Sequence, residues 1–186
     1  MDGSEKLAGL PPRHGMVRPG DLRGSTLTVA RALLGQNLCR RIGDDIVRWR
    51  LSELEVYEGL EDRASHAHRG MTPRNQIMFG PPGHWYIYLC YGVHWLLNLV
   101  TGPADYPAAI LIRGAGEVRG PGRLTRALQI DGSCNTQPIR RNSGLWLEWA
   151  YPILPEDEIL RTPRIGIGYA GSPWTEMPWR LVWDRD

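Results

Sequence analysis

Residues 84–101, HWYIYLCYGVHWLLNLVT, consist of two apolar, aromatic-rich runs that meet at Tyr91-Gly92. Aromatic and branched residues favour strands, and glycine is the residue that most easily turns the chain. The pattern therefore predicts two consecutive strands joined at that turn. Side chains alternate between the two faces of a strand, so Tyr86 and Tyr88 are predicted to share one face, opposite the apolar residues on either side of them.

The strand-like segment at residues 46–58 changes phase in its middle. Apolar side chains occupy odd-numbered positions over 47–51 and even-numbered positions from Leu54. A two-residue period shifts in this way only where an extra residue is inserted, which predicts a β-bulge near Ser52-Glu53. Bulges often redirect side chains beside active sites, and Glu55 follows this one closely.

Strand-like segments outnumber helical ones along the rest of the chain. A short helix is predicted over 27–34, after an N-cap at Ser25 or Thr26, and a second helix starts at 120–122. Further strands are predicted at 36–42, 108–113, 145–150, 164–167 and 179–183. Few segments have the strand–helix–strand order of a parallel sheet. The predicted class is therefore α+β: one domain with a curved, mostly antiparallel β-sheet and flanking short helices.

Length and composition fit one folded domain. The 186 residues are 42% hydrophobic and 23% charged, with a formal net charge of +2, which argues against intrinsic disorder. No apolar run reaches the roughly 18 residues of a membrane span. Residues 1–24 are rich in Gly, Pro and Arg and are predicted to form a flexible N-terminal arm, with the single domain at 25–186.

Cysteine usage and the start of the chain predict a cytoplasmic protein. The three cysteines are odd in number and widely scattered, which argues against a disulfide framework. Residues 1–6 are polar and charged, unlike a secretory signal. Of the 22 basic residues, only Lys6 is a lysine. That bias has two open interpretations: a compositional preference of the genome, or guanidinium groups suited to phosphate recognition.

Two short motifs indicate other chemistry and are weak. The sequence GIGYAG at 166–171 matches a dinucleotide-binding pattern, but Ser-Pro-Trp follows where a helix should begin. His66 and His68 have the spacing of a two-histidine metal arm that Glu55 or Asp62 would complete. Such pairs on polar loops are usually solvated, yet they keep a metal-dependent hydrolase open as an alternative.

Aromatic and acidic residues also predict a binding cleft. Tyr57, His66 and Tyr88 would supply aromatic walls, with the carboxylate of Glu55 and several arginines nearby. The alternative is an ordinary core in which the phenol hydroxyls find hydrogen-bond partners.

The chain resembles the alkyladenine (3-methyladenine) DNA glycosylase family of the single-domain type. Several of the matching stretches are long and ungapped. Together they follow the family's order and cover most of residues 26–183: 27–36, 53–66, 72–79, 86–98, 109–113, 120–130 and 164–171. The resemblance implies a base-excision repair enzyme. It would flip an alkylated or deaminated purine out of duplex DNA and hydrolyse the N-glycosidic bond with an activated water, leaving an abasic site.

The resemblance also implies roles for individual residues. Glu55 would be the general base, and Arg113 and the backbone carbonyl of Ile165 would help to hold the water. The base-binding pocket would include four residues: Tyr57, His66, Tyr88 and Asn98. Asn98 would exclude the amino group of guanine. Tyr91 would intercalate into the gap in the DNA stack.

We further expect phosphate contacts from Arg74 and Arg123, and a monomer that binds double-stranded DNA containing damaged purines, without a membrane association. No lysine lies near the motifs, which argues against Schiff-base chemistry, so a monofunctional hydrolase without metal or cofactor is expected. Besides the metal-dependent hydrolase, a non-catalytic DNA-damage binding module with the same cleft stays open as an alternative.

Overall fold

The computed structural model describes residues 14–183. Within this range there are two α-helices, α1 (Thr26–Leu33) and α2 (Pro121–Ala127). The ten strands are β1 (Gly15–Met16), β2 (Asn37–Ile42), β3 (Asp45–Glu58), β4 (Trp85–Cys90), β5 (His94–Val100), β6 (Ala108–Ala115), β7 (Val118–Arg119), β8 (Leu145–Trp149), β9 (Ile159–Thr162) and β10 (Arg180–Trp183). None of the helices in this range is both long and apolar enough to cross a membrane.

The strands form one extensively branched antiparallel sheet. Its main order is β1-β8-β2-β3-β6-β5-β4, and β10 pairs with both β3 and β9 while β7 pairs with β6. Every one of these pairings is antiparallel. The prediction of a single-domain α+β fold with an antiparallel sheet and short helices is therefore confirmed.

Strand β3 connects the two parts of the sheet through the predicted bulge. Its first half pairs with β2, whereas its second half lies between β6 and β10. The register with β6 shifts between Leu51 and Leu54, which confirms the bulge. Gly114 on β6 faces it so closely that an added Cβ atom would lie 2.8 Å from the hydroxyl oxygen of Ser52. The bulge sets the register in which Glu55 lies opposite β6 and β10.

The core lies under α1 and α2 on one side of the sheet. Helix α1 begins at the N-cap Ser25, whose hydroxyl accepts from the amide of Thr28, and it buries Val29 and Leu33. Complete burial of a leucine-sized side chain contributes about 1.5–3 kcal/mol. Helix α2 is attached to β5 because the hydroxyl of Thr125 donates to the carbonyl of Trp95 at 2.8 Å.

Two predictions about chain segments are wrong. Of the arm predicted at 1–24, residues 1–13 lie outside the described residues, but 14–24 pack against the domain: β1 pairs with β8, and Val17 and Leu22 are completely buried. The predicted strand at 164–167 is irregular, because Arg164 is buried in an ion pair and Gly166 has a φ of +76°. The strand in this region is β9, which starts earlier.

Candidate active site

Glu55 is completely buried on β3, and both of its carboxylate oxygens accept hydrogen bonds. The backbone amide of Ile165 donates to Oε1 at 2.7 Å. The hydroxyl of Tyr57 donates to Oε2 at 2.9 Å, and Nη1 of Arg113 lies 3.5 Å from the same oxygen. The carboxylate is thus held by three donors from β3, β6 and the segment after β9.

A second buried carboxylate, Glu53, extends this network. Its Oε1 accepts from Nε of Arg113 and from Nε of Arg180, each at 2.7 Å. Burial opposes ionisation of Glu53, but the hydrogen bonds and positive charges of the two arginines lower its pKa below the ordinary value of 4.5. Glu53 is therefore an anion that fixes Arg113 beside Glu55.

Glu55 has the opposite shift although it lies only two residues away. Burial raises its pKa above 4.5, and the nearby charge of Glu53 acts in the same direction. Arg113, the amide of Ile165 and the hydroxyl of Tyr57 oppose this rise. A general base works best when its pKa approaches the working pH, so this environment favours proton uptake by Glu55.

An aromatic cleft adjoins this network at Tyr57. It holds about 360 Å³ of empty space, part of which is open to solvent. Its lining comprises Tyr57, Ala64, His66, Met78, Tyr86, Tyr88, Asn98, Ala109 and Tyr169. Because the Tyr57 ring lines the cleft and its hydroxyl contacts Glu55, the predicted acid and the predicted aromatic walls lie together. The structure brings all four predicted pocket residues into this cleft.

Ring contacts fix the side of the cleft formed by β4 and the loop before it. The centroids of His66 and Tyr88 are 4.5 Å apart with the rings inclined by 62°. Tyr86 and Tyr88, predicted to share a face, have centroids 5.3 Å apart. The guanidinium of Arg74 lies 5.1 Å from the centre of the Tyr88 ring.

A hydrogen bond orients the imidazole of His66. Its Nδ1 lies 2.8 Å from the hydroxyl of Tyr86. Burial, then the charge of Arg74, lowers the pKa of His66. The neutral ring carries one proton, and the contact with Tyr86 allows it on either nitrogen.

Asn98 is held in the cleft wall by the backbone. Its Nδ2 donates to the carbonyl of Tyr86 at 3.0 Å and to that of Leu96 at 3.3 Å. The side chain is only 4% exposed. These contacts prevent the amide from rotating freely, so it presents a fixed surface to whatever enters the cleft.

The tip of the β4–β5 hairpin carries two strongly exposed large apolar side chains. Tyr91 is 94% exposed and Val93 70% exposed. Tyr91 and Gly92 have φ values of +51° and +69°, and the amide of Val93 donates to the carbonyl of Cys90 at 3.1 Å. This left-handed backbone costs a residue other than glycine roughly 1–2 kcal/mol. A tyrosine is thus held in solvent on a strained turn.

The buried ion pair between Asp62 and Arg164 was missed by sequence reasoning. Both side chains are completely buried, and Nη1 and Nη2 of Arg164 lie 2.6 and 2.8 Å from the two carboxylate oxygens. Nη1 also donates to the carbonyl of Val56 at 2.8 Å. The guanidinium lies 4.7 Å from the Tyr57 ring centre and 5.0 Å from that of Trp179. No local sequence pattern predicts an ion pair between residues 102 positions apart.

The alternative metal site is not assembled. Asp62 is bound to Arg164, Nδ1 of His66 to Tyr86, and Nδ1 of His68 lies 2.8 Å from the carbonyl of Leu60. Between residues 14 and 183 no three His, Cys, Asp or Glu side chains lie close enough to hold a metal ion. The alternative in which His66, His68 and Glu55 or Asp62 hold a metal ion is therefore not supported by the described residues.

The remaining predicted site residues are placed as follows. The contact observed at Ile165 is its amide on Glu55, so a role for its carbonyl stays a prediction. Arg74 is exposed and its Nη2 donates to the carbonyl of Leu89 at 3.1 Å. Arg123 is exposed on α2. Tyr86 and Tyr169 complete the cleft without having been assigned a role from the sequence.

Comparison with known proteins agrees with this arrangement. The family model described as methylpurine-DNA glycosylase matches residues 21–119 and 116–186. A protein of Anaeromyxobacter dehalogenans (strain 2CP-1) is 44% identical over 164 residues, which cover 84% of this chain and 77% of that protein. One of Nitrosococcus oceani is 40% identical over 192 residues, covering 93% and 89%. Both carry the provisional name 3-methyladenine DNA glycosylase.

These matches extend over nearly all of the described residues, including the cleft, both buried carboxylates and the hairpin tip. They agree with the resemblance noted in the sequence. The chain belongs to the methylpurine-DNA glycosylase family.

Proposed function

We propose that this DNA glycosylase flips a damaged purine nucleotide out of duplex DNA into the aromatic cleft and hydrolyses its N-glycosidic bond with one water molecule. The observation that carries the proposal is the link between the cleft and the acid. Tyr57 lines the cleft with its ring and donates its hydroxyl proton to Oε2 of Glu55 at 2.9 Å. An everted base would therefore bring its sugar close to a buried carboxylate.

Glu55 would act as the general base. As the carboxylate accepts a proton from water, the water oxygen forms a bond to C1′ of the sugar, and the electron pair of the glycosidic bond leaves with the purine. An alkylated purine that already carries a positive charge departs neutral and needs no acid. General base catalysis contributes about 10²–10⁴ in rate. Arg113 and the carbonyl of Ile165 would help to position the water.

The cleft would bind the base mainly by stacking. Extrusion costs a few kcal/mol, and stacking on aromatic side chains returns about 1–3 kcal/mol per base with little dependence on its identity. If Nδ1 of His66 accepts from the hydroxyl of Tyr86, the ring would carry its proton on Nε2 and donate it to an acceptor on the base. The fixed amide of Asn98 would exclude the amino group of guanine. Tyr91 would fill the gap that the everted base leaves in the stack.

The reaction as proposed uses water and the side chains of one chain. No lysine occurs among the described residues, so the Schiff-base chemistry of a lyase has no amine in the cleft. We expect a monofunctional enzyme, active as a monomer in the cytoplasm without metal or cofactor. Its substrate would be double-stranded DNA containing alkylated or deaminated purines.

The decisive variant is Glu55→Gln, with Glu176→Gln as control because Glu176 is exposed. Single-turnover excision of a lesion from duplex DNA is expected to fall by at least about 10² in Glu55→Gln, whereas lesion binding is retained. Excision at the parental rate would show that Glu55 is not the base. If the parent binds lesion DNA but excises nothing either without metal or with added divalent metal, the protein is a damage-binding module instead.

A further inference from the structure

A second hollow opens beside the aromatic cleft and shares His66 and Tyr169 with it. It holds about 1030 Å³ of empty space, including the part open to solvent. We call it the arginine groove, and its remaining lining residues are Arg63, Ser65, His68 and Arg69. No acidic side chain lines it, although two arginines and two histidines do.

The two arginines of the groove have no counter-ion among the described residues. Within 14–183, neither Arg63 nor Arg69 makes an ion pair or a side-chain hydrogen bond. The nearby carboxylate of Asp62 is neutralised by Arg164. A hollow with two uncompensated guanidinium groups attracts an anion, and the guanidinium fork fits the oxygens of a phosphate.

The loop that forms the groove is already braced. Nδ2 of Asn75 donates to the carbonyls of His66 and Gly70 at 2.8 and 3.0 Å. The amide of Ala67 donates to the Ser65 hydroxyl at 3.2 Å. Because these contacts hold the loop backbone, little ordering would be needed when an anion arrives.

We propose that the arginine groove holds the phosphodiester next to the everted nucleotide, and this inference rests on the proposed function. Only the sugar separates a base from its own phosphates. Two hollows that share the wall formed by His66 and Tyr169 therefore fit the two ends of one nucleotide: the base in the cleft and its phosphate in the groove. Arg63 and Arg69 would bind that phosphate directly.

The first test measures how DNA binding depends on salt. The probe is a short duplex with one 2′-fluoro-deoxyinosine, whose glycosidic bond resists hydrolysis because fluorine destabilises a cationic sugar. The slope of log K against log salt is negative, and each lost phosphate contact makes it shallower by about 0.9. We expect a salt dependence that is shallower by this amount for Arg63→Gln and for Arg69→Gln. The control Arg41→Gln changes an exposed arginine on β2 that pairs with Ile46 at the start of β3, about 30 Å along that strand from Glu55, and it should keep the parental slope.

The second test assigns the phosphate. An uncharged methylphosphonate is placed at each linkage flanking the lesion, and its cost in binding is measured with the parent and with Arg63→Gln/Arg69→Gln. At the linkage held in the groove, the cost seen with the parent should disappear in the double variant, because the contact is already lost. An unchanged salt slope, or a cost that persists at every flanking linkage, would overturn the proposal.

These outcomes are separate from those that test the proposed function. The uncleavable duplex makes the binding measurement independent of whether Glu55 is the base. If Glu55→Gln excises normally while the arginine variants show a shallower salt dependence, the proposed mechanism is wrong and the phosphate site in the groove is supported. If Glu55→Gln is inactive but both arginine variants bind like the parent, the groove fails and the mechanism stands.

Discussion

The acid network and the hairpin tip adjoin the same cleft but are built in opposite ways. Around Glu55, two buried carboxylates interlock with two arginines whose side chains are only 12% and 21% exposed. At the tip, Tyr91 extends into solvent from a backbone in the left-handed region. The tip adjoins the cleft through Arg74, which donates to the carbonyl of Leu89 at 3.1 Å and lies 5.1 Å from the centre of the Tyr88 ring.

The difference fits the roles proposed for the two regions. A carboxylate that removes a proton from water must already be oriented when the substrate arrives, which requires fixed neighbours. A ring that enters a DNA stack must be reachable from outside, so it cannot be covered by the protein. Burial therefore suits the acid network, whereas the hairpin tip is exposed and has a locally strained backbone. Both properties can be tested by substitution.

The largest effect is expected when the buried pair beside the acid network is broken. Arg164→Met leaves the carboxylate of Asp62 buried without its partner and should lower the free energy of unfolding by about 3–5 kcal/mol. In Asp62→Leu/Arg164→Met, which buries no charge at this position, most of that loss should be recovered. Urea denaturation followed by tryptophan fluorescence measures both.

The control is Arg48→Met, because Arg48 pairs with Glu148 at 3.2 Å while its side chain is 44% exposed. A pair as exposed as this one contributes at most about 1 kcal/mol. If Arg164→Met costs no more than Arg48→Met, or the double variant is as unstable as the single one, the ion pair does not stabilise this side of the cleft.

The tip should show an intermediate effect, in binding rather than in folding. Tyr91→Asn removes the ring and supplies a residue that adopts the left-handed region readily. Lesion binding should weaken by about 1–3 kcal/mol, while the free energy of unfolding stays equal or rises by up to about 1 kcal/mol. Fluorescence of a base analogue reports extrusion, and thermal melting reports stability. Tyr91→Phe, which keeps the ring, should bind like the parent.

A variant that binds and extrudes the lesion normally without the ring would show that Tyr91 is not a wedge. Loss of stability in Tyr91→Asn would show instead that the backbone at the tip is not strained. The two readouts thus separate the exposed ring from the turn that carries it.

The smallest effect is expected in how thermal stability depends on pH when either of the two neighbouring acids, Glu55 or Glu53, is replaced. The pKa of Glu55 is raised in the folded state. The stability that a group with a raised pKa contributes is fully present below 4.5 and is lost as the pH rises through the folded pKa. Glu55→Gln should therefore melt above the parent at neutral pH, and the gap should close as the pH falls toward 4.5. Thermal melts across this range measure it.

Glu53→Gln is the matched comparison because its pKa shift has the opposite sign. A lowered folded pKa contributes stability that is present above 4.5 and is lost as pH falls through the folded value. This variant should melt below the parent at neutral pH, and its deficit should shrink in acid. Parallel curves for the two variants would contradict the opposite shifts.

Sequence patterns predicted the elements whose signals are local. The N-cap at Ser25 and the bulge near Ser52-Glu53 follow from neighbouring residues, and the structure has both. The family resemblance indicated which residues would form the pocket, and the structure has all of them in one cleft, including Tyr57 and Tyr88.

Contacts between distant segments could not be predicted. The amide of Ile165 reaches Glu55 across 110 residues, and Arg164 reaches Asp62 across 102. A backbone amide carries no side-chain signal at all. The strand predicted at 164–167 is wrong for the same reason, because this buried pairing overrides the local preference for an extended strand.

The late position of Ile165 and β10 in the chain has a consequence for biosynthesis. Both segments emerge from the ribosome long after Glu55, and β10 pairs with the bulged half of β3. A polypeptide released before this point has the acid but lacks the amide that orients it and Arg180 beside Glu53. Under the proposed mechanism, prematurely terminated products would be inert toward the genome, and competence to remove bases would arise only in the final stage of synthesis.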